Sequence, residues 1–264
     1  MSIKVWLDAG HGGTDSGAVG NGLKEKDLTL TMAKKVGEIL TSEYENVEVL
    51  YSRTTDKTLS LKERTDMANK ANANYFFSIH VNAGGGTGYE DYVYNGKIQS
   101  TTEANRKIVH DEVIPVLQKY GIKDRGMKKA NFHVLRETKM PAMLVETLFI
   151  DNVNDAGFLK NQNFINDISI AYATGIAKAL GLKKKLKSQK IGKLYRVQVG
   201  AFSKKENAEK LLKELKTKGF DGFIKIETGK LYKVQVGAFS KKENAENLLK
   251  ELKSKGFDGF IKIE

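Results

Sequence analysis

Two of the chain's four histidines stand where an apolar run ends: His11 in LDAGHGG and His80 in FFSIHVN. Glu146 closes a third such run, AMLVE, and Glu25 follows the glycine-rich loop that contains His11. Two imidazoles and one carboxylate form the ligand set of a catalytic zinc site, which keeps its fourth position open to water. The metal lowers the pKa of that water to about 7 and polarises a carbonyl, and the carboxylate left over can act as general base and acid. Which carboxylate binds and which reacts stays open here, because the helical H-E-x-x-H spacing is absent. The same Glu25 and Glu146 could instead be the paired carboxylates of a glycosidase, a reading that leaves His11 without a role.

Asn82, beside His80, and His133 in NFHVLRE face the same rim as substrate contacts or as supports for the ligands, and Arg64 in LKERTD is grouped with them. His110, inside NRKIVHDEVI, reads as structural. A phosphate cradle is excluded at LDAGHGG: neither G-x-x-x-x-G-K-[ST] nor G-x-G-x-x-G is in register, since Asp15 stands where the third glycine belongs. With no cysteine in the chain, any metal must be held by His, Asp or Glu.

These residues need a frame that brings distant segments to one edge. Strands are expected at 3–9, 47–52, 75–81, 88–94, 131–135 and 142–147. Between them fall amphipathic helices at 25–43, at 60–72 behind a Ser60/Glu63 capping box, at 102–119 and at 163–180. Alternation of this kind with continuous apolar strands such as YFFSIHV implies an α/β domain, a mostly parallel twisted sheet flanked by helices. Ligands in such sheets bind beyond the carboxyl ends of the strands, where His11, His80 and Glu146 are expected.

The C-terminal third is different in kind. Residues 194–227 recur at 231–264 with only Arg196/Lys233, Lys210/Asn247 and Thr217/Ser254 changed. Each copy reads as a strand with Tyr195, Val197 and Val199 inward, a helix opened by a Ser203/Glu206 capping box and closed by Gly219, and a second strand, GFIKIE. Two β-α-β copies make a four-stranded sheet with two helices, a small α+β module of ferredoxin-like type. Residues 1–182 carry 22 Lys+Arg against 22 Asp+Glu, so the whole net charge of +12 lies beyond them. A neutral body at 1–182, a basic linker at 183–193 and a basic module at 194–264 are thus expected, the last suited to a polyanion. The start, MSIKVWLDAG, lacks a basic segment followed by an apolar run, and no membrane-length apolar stretch occurs. The expectation is a protein made in the cytoplasm without a signal peptide, whose extracellular task would need another exit.

LDAGHGG, Glu25 in GLKEKDLTL, SRTTD, LKERTDMANKANANYFFSIHVNA and PAMLVETLFIDN, taken in order, resemble the zinc-dependent N-acetylmuramoyl-L-alanine amidases of bacterial autolysins and phage endolysins over residues 2–180. The resemblance implies His11, Glu25 and His80 as ligands of one zinc ion and Glu146 as the catalytic carboxylate. It implies as substrate the peptidoglycan amide between the lactyl group of N-acetylmuramic acid and L-alanine. Ala9 replaces a common proline, Leu148 stands where a glycine often follows VET, and no inserted plugging helix is expected before His133. The repeats, opening YRVQVGAF and YKVQVGAF, resemble SPOR domains, which bind glycan strands stripped of stem peptides. With Val197, Val199, Ile224 and Ile226 toward the helices, alternation sends Arg196, Gln198, Phe223 and Lys225 to the open face, with Lys233, Gln235, Phe260 and Lys262 as their partners. Gln198 and Gln235 are the candidate glycan contacts. RNA binding by this module is the competing reading, opposed by the absence of aromatics at the outward positions of the central strands. A monomer is expected that acts on peptidoglycan after lysis or holin-type release and takes neither nucleic acid nor membrane as partner.

Overall fold

An N-terminal run with apolar residues at both parities cannot leave either face to water. In the structure, a computed structural model describing residues 2–185, 194–227 (of Glu227 the backbone alone) and 231–263, β1 (Ile3–Ala9) buries Val5, Leu7 and Ala9 on one side and Trp6 on the other. The chain divides into two compact units, Met1–Leu186 and Lys187–Glu264.

In the first unit a short hairpin, β2 (Val19–Gly20) and β3 (Leu23–Lys24), leads into α1 (Glu25–Glu43). Then come β4 (Val47–Tyr51), α2 (Leu61–Lys70), β5 (Tyr75–Asn82), β6 (Tyr89–Tyr94), α3 (Ser100–Tyr120), β7 (Asp124–Ala130), α4 (His133–Arg136), β8 (Ala142–Phe149), α5 (Val153–Lys160) and α6 (Gln162–Ala179). The six long strands form one sheet in the order β4-β1-β5-β8-β6-β7, parallel except for the β6/β8 pair. The larger core packs Phe77, Ile79, Met143 and Val145 against Met32 and Val36 of α1, Val109 and Val113 of α3, and Phe164 and Tyr172 of α6. On the other face Trp6, Phe76 and Leu144 meet Ala68 of α2 and Val134 and Leu135 of α4. The Ser60/Glu63 capping box opens α2 as expected.

Several sequence expectations are corrected. The strand expected at 131–135 is absent. The sixth strand is β7, which an edge position allows to carry charge instead of an apolar pattern. NFHVLRE is a helical turn in which neighbouring Val134 and Leu135 are both buried, so its apparent alternation was accidental. The β2/β3 hairpin and α5 were not foreseen. Residues 183–185, expected to begin the linker, are bonded to the end of α1: Lys185 N–H donates to Glu43 O at 2.7 Å and Glu45 N–H to Lys183 O at 2.9 Å. The rest of that linker, 186–193, lies outside the described residues.

The second unit contains β9 (Tyr195–Phe202), α7 (Lys205–Thr217), β10 (Phe223–Glu227), β11 (Leu231–Phe239), α8 (Lys242–Ser254) and β12 (Phe260–Ile263). Its sheet is antiparallel, order β10-β11-β9-β12, with each edge strand paired to the other copy's central strand. Val197, Ala208, Leu215 and Phe220 join Val234, Ala245, Leu252 and Phe257 in one core, so neither copy closes a core alone. The expected Ser203/Glu206 capping box does not form: the N-cap is Lys204, which puts Glu206 one position too early. Ile226, expected to face the helices, is 64 % exposed near the end of edge strand β10.

Candidate active site

Immediately after β1 the chain turns through Gly10 into His11, whose φ of +59° lies in the left-handed region that side chains seldom adopt. Two buried arginines hold that turn. Arg53 donates from Nε to Ala9 O (3.0 Å) and from Nη2 to Gly10 O (2.8 Å). Arg64 donates from Nη1 to Asp8 Oδ1 (2.8 Å) and Ala9 O (2.7 Å) and from Nη2 to His11 O (2.6 Å). The glycines give clearance: a Cβ on Gly10 would stand 2.4 Å from His80 Cε1, and one on Gly17 2.6 Å from Glu25 Oε2 and from His11 Cδ2.

Glu25, the first residue of α1, is buried and saturated. Oε1 accepts from Val81 N–H (3.0 Å) and lies 2.9 Å from His80 Nδ1; Oε2 accepts from Ala18 N–H (2.9 Å) and lies 3.2 Å from His11 Nε2. One ligand atom from each of His11, Glu25 and His80 lies within 4.8 Å of the others. Among the described residues this is the one group of three or more such side chains that could hold a metal ion. Burial works against charge on His11, but hydrogen bonding to Glu25 and then its charge outweigh it and push the imidazole up to about 9. Glu25 in turn is held far below the usual carboxylate range: burial opposes this, and the bonds to His11 and His80 prevail. An enclosed carboxylate between two ring nitrogens thus favours positive charge at its centre, and its donor set suits zinc. Behind it, Asp15 Oδ2 lies 2.8 Å from His11 Nδ1, as carboxylates support metal-binding imidazoles.

Glu146 of β8 is the register partner of His80. Its Oε2 is buried without a partner, and its carboxyl is pushed up to about 7, first by burial, against the pull of His80 and with Glu25 and Glu90 adding to it. His133, at the start of α4, likewise has a buried, unpartnered Nε2. Both side chains line a cleft of about 440 Å³ with His11, His80 and Arg64, whose apolar wall is Leu59, Leu61, Phe132, Val134 and Leu144.

The structure therefore brings His11, Glu25, His80, Glu146 and His133 to one place. Arg64 reaches its edge but spends its hydrogen bonds on the β1 turn. Asn82 turns away to Glu90, Nδ2 donating to Oε1 at 2.8 Å. His110 lies elsewhere, its Nδ1 2.6 Å from Asp91 Oδ2. In the second unit Gln198 and Gln235 oppose each other across β9 and β11 and are 7 % and 4 % exposed. Each amide donates to a carbonyl two residues along its own strand, Gly200 O and Gly237 O, at 3.3 Å. Sequence reasoning missed Asp15 and Arg53. The His-x-x-x-Asp spacing was the available signal for the first, and the second stood inside the SRTTD motif without being singled out.

Residues 5–178 match the family model described as N-acetylmuramoyl-L-alanine amidase, and 191–263 match that of the SPOR domain. A single SPOR domain therefore spans both sequence copies, in place of two. The chain is 50 % identical over 222 residues to the N-acetylmuramoyl-L-alanine amidase CwlM of Bacillus licheniformis, covering 84 % of each. It is 51 % identical over 187 residues to the endolysin of Bacillus phage SPP1, covering 70 % of this chain and 69 % of that one. Among solved structures it is similar to the catalytic domain of CwlV, an N-acetylmuramoyl-L-alanine amidase from Bacillus (Paenibacillus) polymyxa, with TM-score 0.64 and 38 % identity over 69 % of this chain and 99 % of that one.

Proposed function

The chain belongs to the family of N-acetylmuramoyl-L-alanine amidases, and we propose that it cleaves the amide between N-acetylmuramic acid and L-alanine with zinc held by His11, Glu25 and His80 and with Glu146 as proton carrier. When bound, zinc supplies Lewis acidity that polarises the scissile carbonyl and eases ionisation of water. The observation that carries this reading is the pairing of a saturated Glu25 with an unsatisfied Glu146. Glu25 holds a backbone N–H on each oxygen and turns its remaining lone pairs toward His11 and His80, where a shared ion would sit, so as a ligand it has none left for a proton in flight. Glu146 has a free buried oxygen and a pKa near neutrality, where a group best takes and returns a proton. It accepts the proton of the attacking water and delivers it to the alanine nitrogen. A C–O bond forms, the C–N bond breaks, and a lactyl carboxylate and a free amine leave. His133 Nε2 is a donor toward the substrate's oxygen in the same cleft, Arg64 holds the turn that carries His11, and Asn82, bonded to Glu90, makes no contact with substrate. The saturation of Glu25 also argues against the paired-carboxylate glycosidase.

The SPOR domain carries the enzyme to the wall. Register sets Phe223 opposite Gln235, Gln235 opposite Gln198, and Gln198 opposite Phe260, one row across all four strands. The rings at its ends are 50 % and 54 % exposed. Exposed aromatics on the edge strands, with covered amides rather than rings on the central ones, suit a sugar chain better than stacked bases, which want rings at the centre. Binding to glycan stripped of stem peptides, by a monomer, is the corresponding proposal. Among the described residues no helix is long and apolar enough to cross a membrane, and release with lysis, by holin or cell breakdown, is the route proposed to the wall.

Purified wall digested with and without chelator tests the reading. New L-alanine amino termini that vanish on chelation and return with zinc are expected. New reducing ends, or activity indifferent to chelation, would overturn it. His11→Ala should lose the metal, whereas Glu146→Ala should keep it and lose turnover.

A further inference from the structure

The polar row of the active site continues past Glu146. Glu90 of β6 is its direct register partner and is buried. Oε1 of Glu90 accepts from Asn82 Nδ2 (2.8 Å) and Tyr92 Oη (2.7 Å), while Oε2 accepts from Arg125 Nε (2.5 Å) and Lys128 Nζ. Glu90 is thereby full, yet two cations on one carboxylate leave the cluster with net positive charge. Arg125 has committed only Nε, and its guanidinium rests 4.9 Å from the centre of the Phe149 ring. Its two terminal nitrogens have no partner among the described residues, and together they form the fork that takes a carboxylate through two parallel bonds. Arg125 and Lys128 are 28 % and 36 % exposed.

The backbone is shaped to make this pair. Residues three apart on a strand point to opposite faces, so Arg125 and Lys128 should not reach the same carboxylate. They do because β7 carries a bulge: Tyr89 pairs with Asp124 and Asp91 with Met127, which sets both Arg125 and Gly126 against Glu90. Gly126, at φ +83°, absorbs the extra residue and reverses the alternation. Bulges are rare between parallel strands and recur where a side chain must be re-aimed beside an active site.

We propose that Arg125 and Lys128, braced by Glu90, form a subsite for a carboxylate of the stem peptide, so that the enzyme reads charge on the leaving peptide. This rests on the amidase reading above. In that reading the carbonyl lies toward the metal ligands of β1 and β5, and Glu146 must meet the amine. The peptide attached to that amine then leads toward β6 and β7. β7 is two strands from Glu146, roughly 10 Å at about 4.8 Å per strand. At about 3.4 Å per extended residue, that places the carboxylate two or three residues beyond the scissile bond.

The test compares two soluble substrates, N-acetylmuramoyl-L-alanyl-D-glutamate and the same compound with both glutamate carboxylates converted to carboxamides. The full chain, loaded with zinc, should show a higher kcat/KM on the acid, mainly through KM. In Arg125→Gln and in Arg125→Gln/Lys128→Gln the acid-over-amide ratio should fall roughly 10- to 100-fold, the weight of charge-assisted hydrogen bonds. Any effect of the substitutions on Glu146 cancels in that ratio, because both substrates use it. Arg125→Lys keeps the charge opposite Glu90 and guards against misfolding; it should give an intermediate ratio. A wild-type ratio near one, or a ratio unmoved by the substitutions, overturns the subsite while leaving the amidase reading intact. Failure to release an amine from either substrate would instead overturn the amidase reading.

Discussion

Glu146→Gln should stabilise the metal-free protein at alkaline pH while abolishing its activity. In the folded chain the Glu146 carboxyl titrates near 7 against 4.5 in an unfolded one, with burial as the main cause. Below pH 4.5 both states hold the proton and the group costs nothing. Between 4.5 and 7 the unfolded chain ionises while the folded chain does not, so stability falls as pH rises, and above 7 the cost is complete. A difference of about 2.5 pH units corresponds to up to about 3 kcal/mol. In a unit of this size about 1 kcal/mol shifts Tm by roughly 2–4 °C, so the variant should melt up to about 6–12 °C higher at pH 8 and gain nothing from this source near pH 4. Any cost of burying an amide is common to both pH values and drops out of the difference. Thermal unfolding with chelator at pH 4, 6 and 8, wild type beside variant, reads it directly. A Tm difference that is the same at pH 4 and pH 8 would refute the claim that Glu146 carries a desolvated charge. With zinc restored, the same variant should bind metal normally and lose about 10²–10⁴ in kcat.

Gly10→Ala should weaken zinc binding by about 10- to 100-fold with little change in circular dichroism, since its Cβ would stand 2.4 Å from the His80 ring; metal content after dialysis is the measurement. At Leu148, buried and at φ +68°, glycine should be better tolerated than alanine by about 1 kcal/mol in urea unfolding, reversing the usual order of the two residues. Phe223→Ala/Phe260→Ala should reduce retention on purified wall several-fold while leaving cleavage of a soluble muramoyl peptide at the wild-type rate; unchanged retention would remove the ring-ended row from the binding face.

The sequence was legible wherever burial dictates residue type. YFFSIHV and AMLVE read as central strands with His80 and Glu146 at their polar ends, which brought the candidate residues to one rim, while the division between ligand and reacting carboxylate came only from the family resemblance. It was illegible where geometry overrides alternation. β7 hid because an edge strand needs no apolar face, and its bulge at Gly126 put Arg125 and Lys128 on one side against their spacing. Gln198 and Gln235 were expected on an open face. They are covered, and they pair with each other between two register shifts at Val199 and Val236 that strict alternation does not predict. Ser203 and Glu206 had capping-box spacing, but the helix began one residue late.

Two departures from ordinary backbone geometry fall beside the groups proposed to react, and their placement is a physical argument about how the site is held. His11 and Leu148 both take left-handed φ values, one just after β1 and one near the end of β8, with β5 and His80 between them. Such a conformation costs on the order of 1–3 kcal/mol and persists only when its surroundings over-determine it. At His11 the surroundings are Arg53 and Arg64, which take the carbonyls of Ala9, Gly10 and His11, with buried Asp8 anchoring Arg64. At Leu148 they are apolar: the side chain is wholly buried, and the one-residue slip it creates in the β5/β8 register lies between the His80–Glu146 pair and the next, Asn82–Phe149. The slip ends regular pairing immediately after Glu146. The same strained turn that lets the His11 ring meet Glu25 and His80 thus has a counterpart that fixes Glu146 opposite them, the first sustained by arginine hydrogen bonds to backbone carbonyls and the second by burial of an apolar side chain.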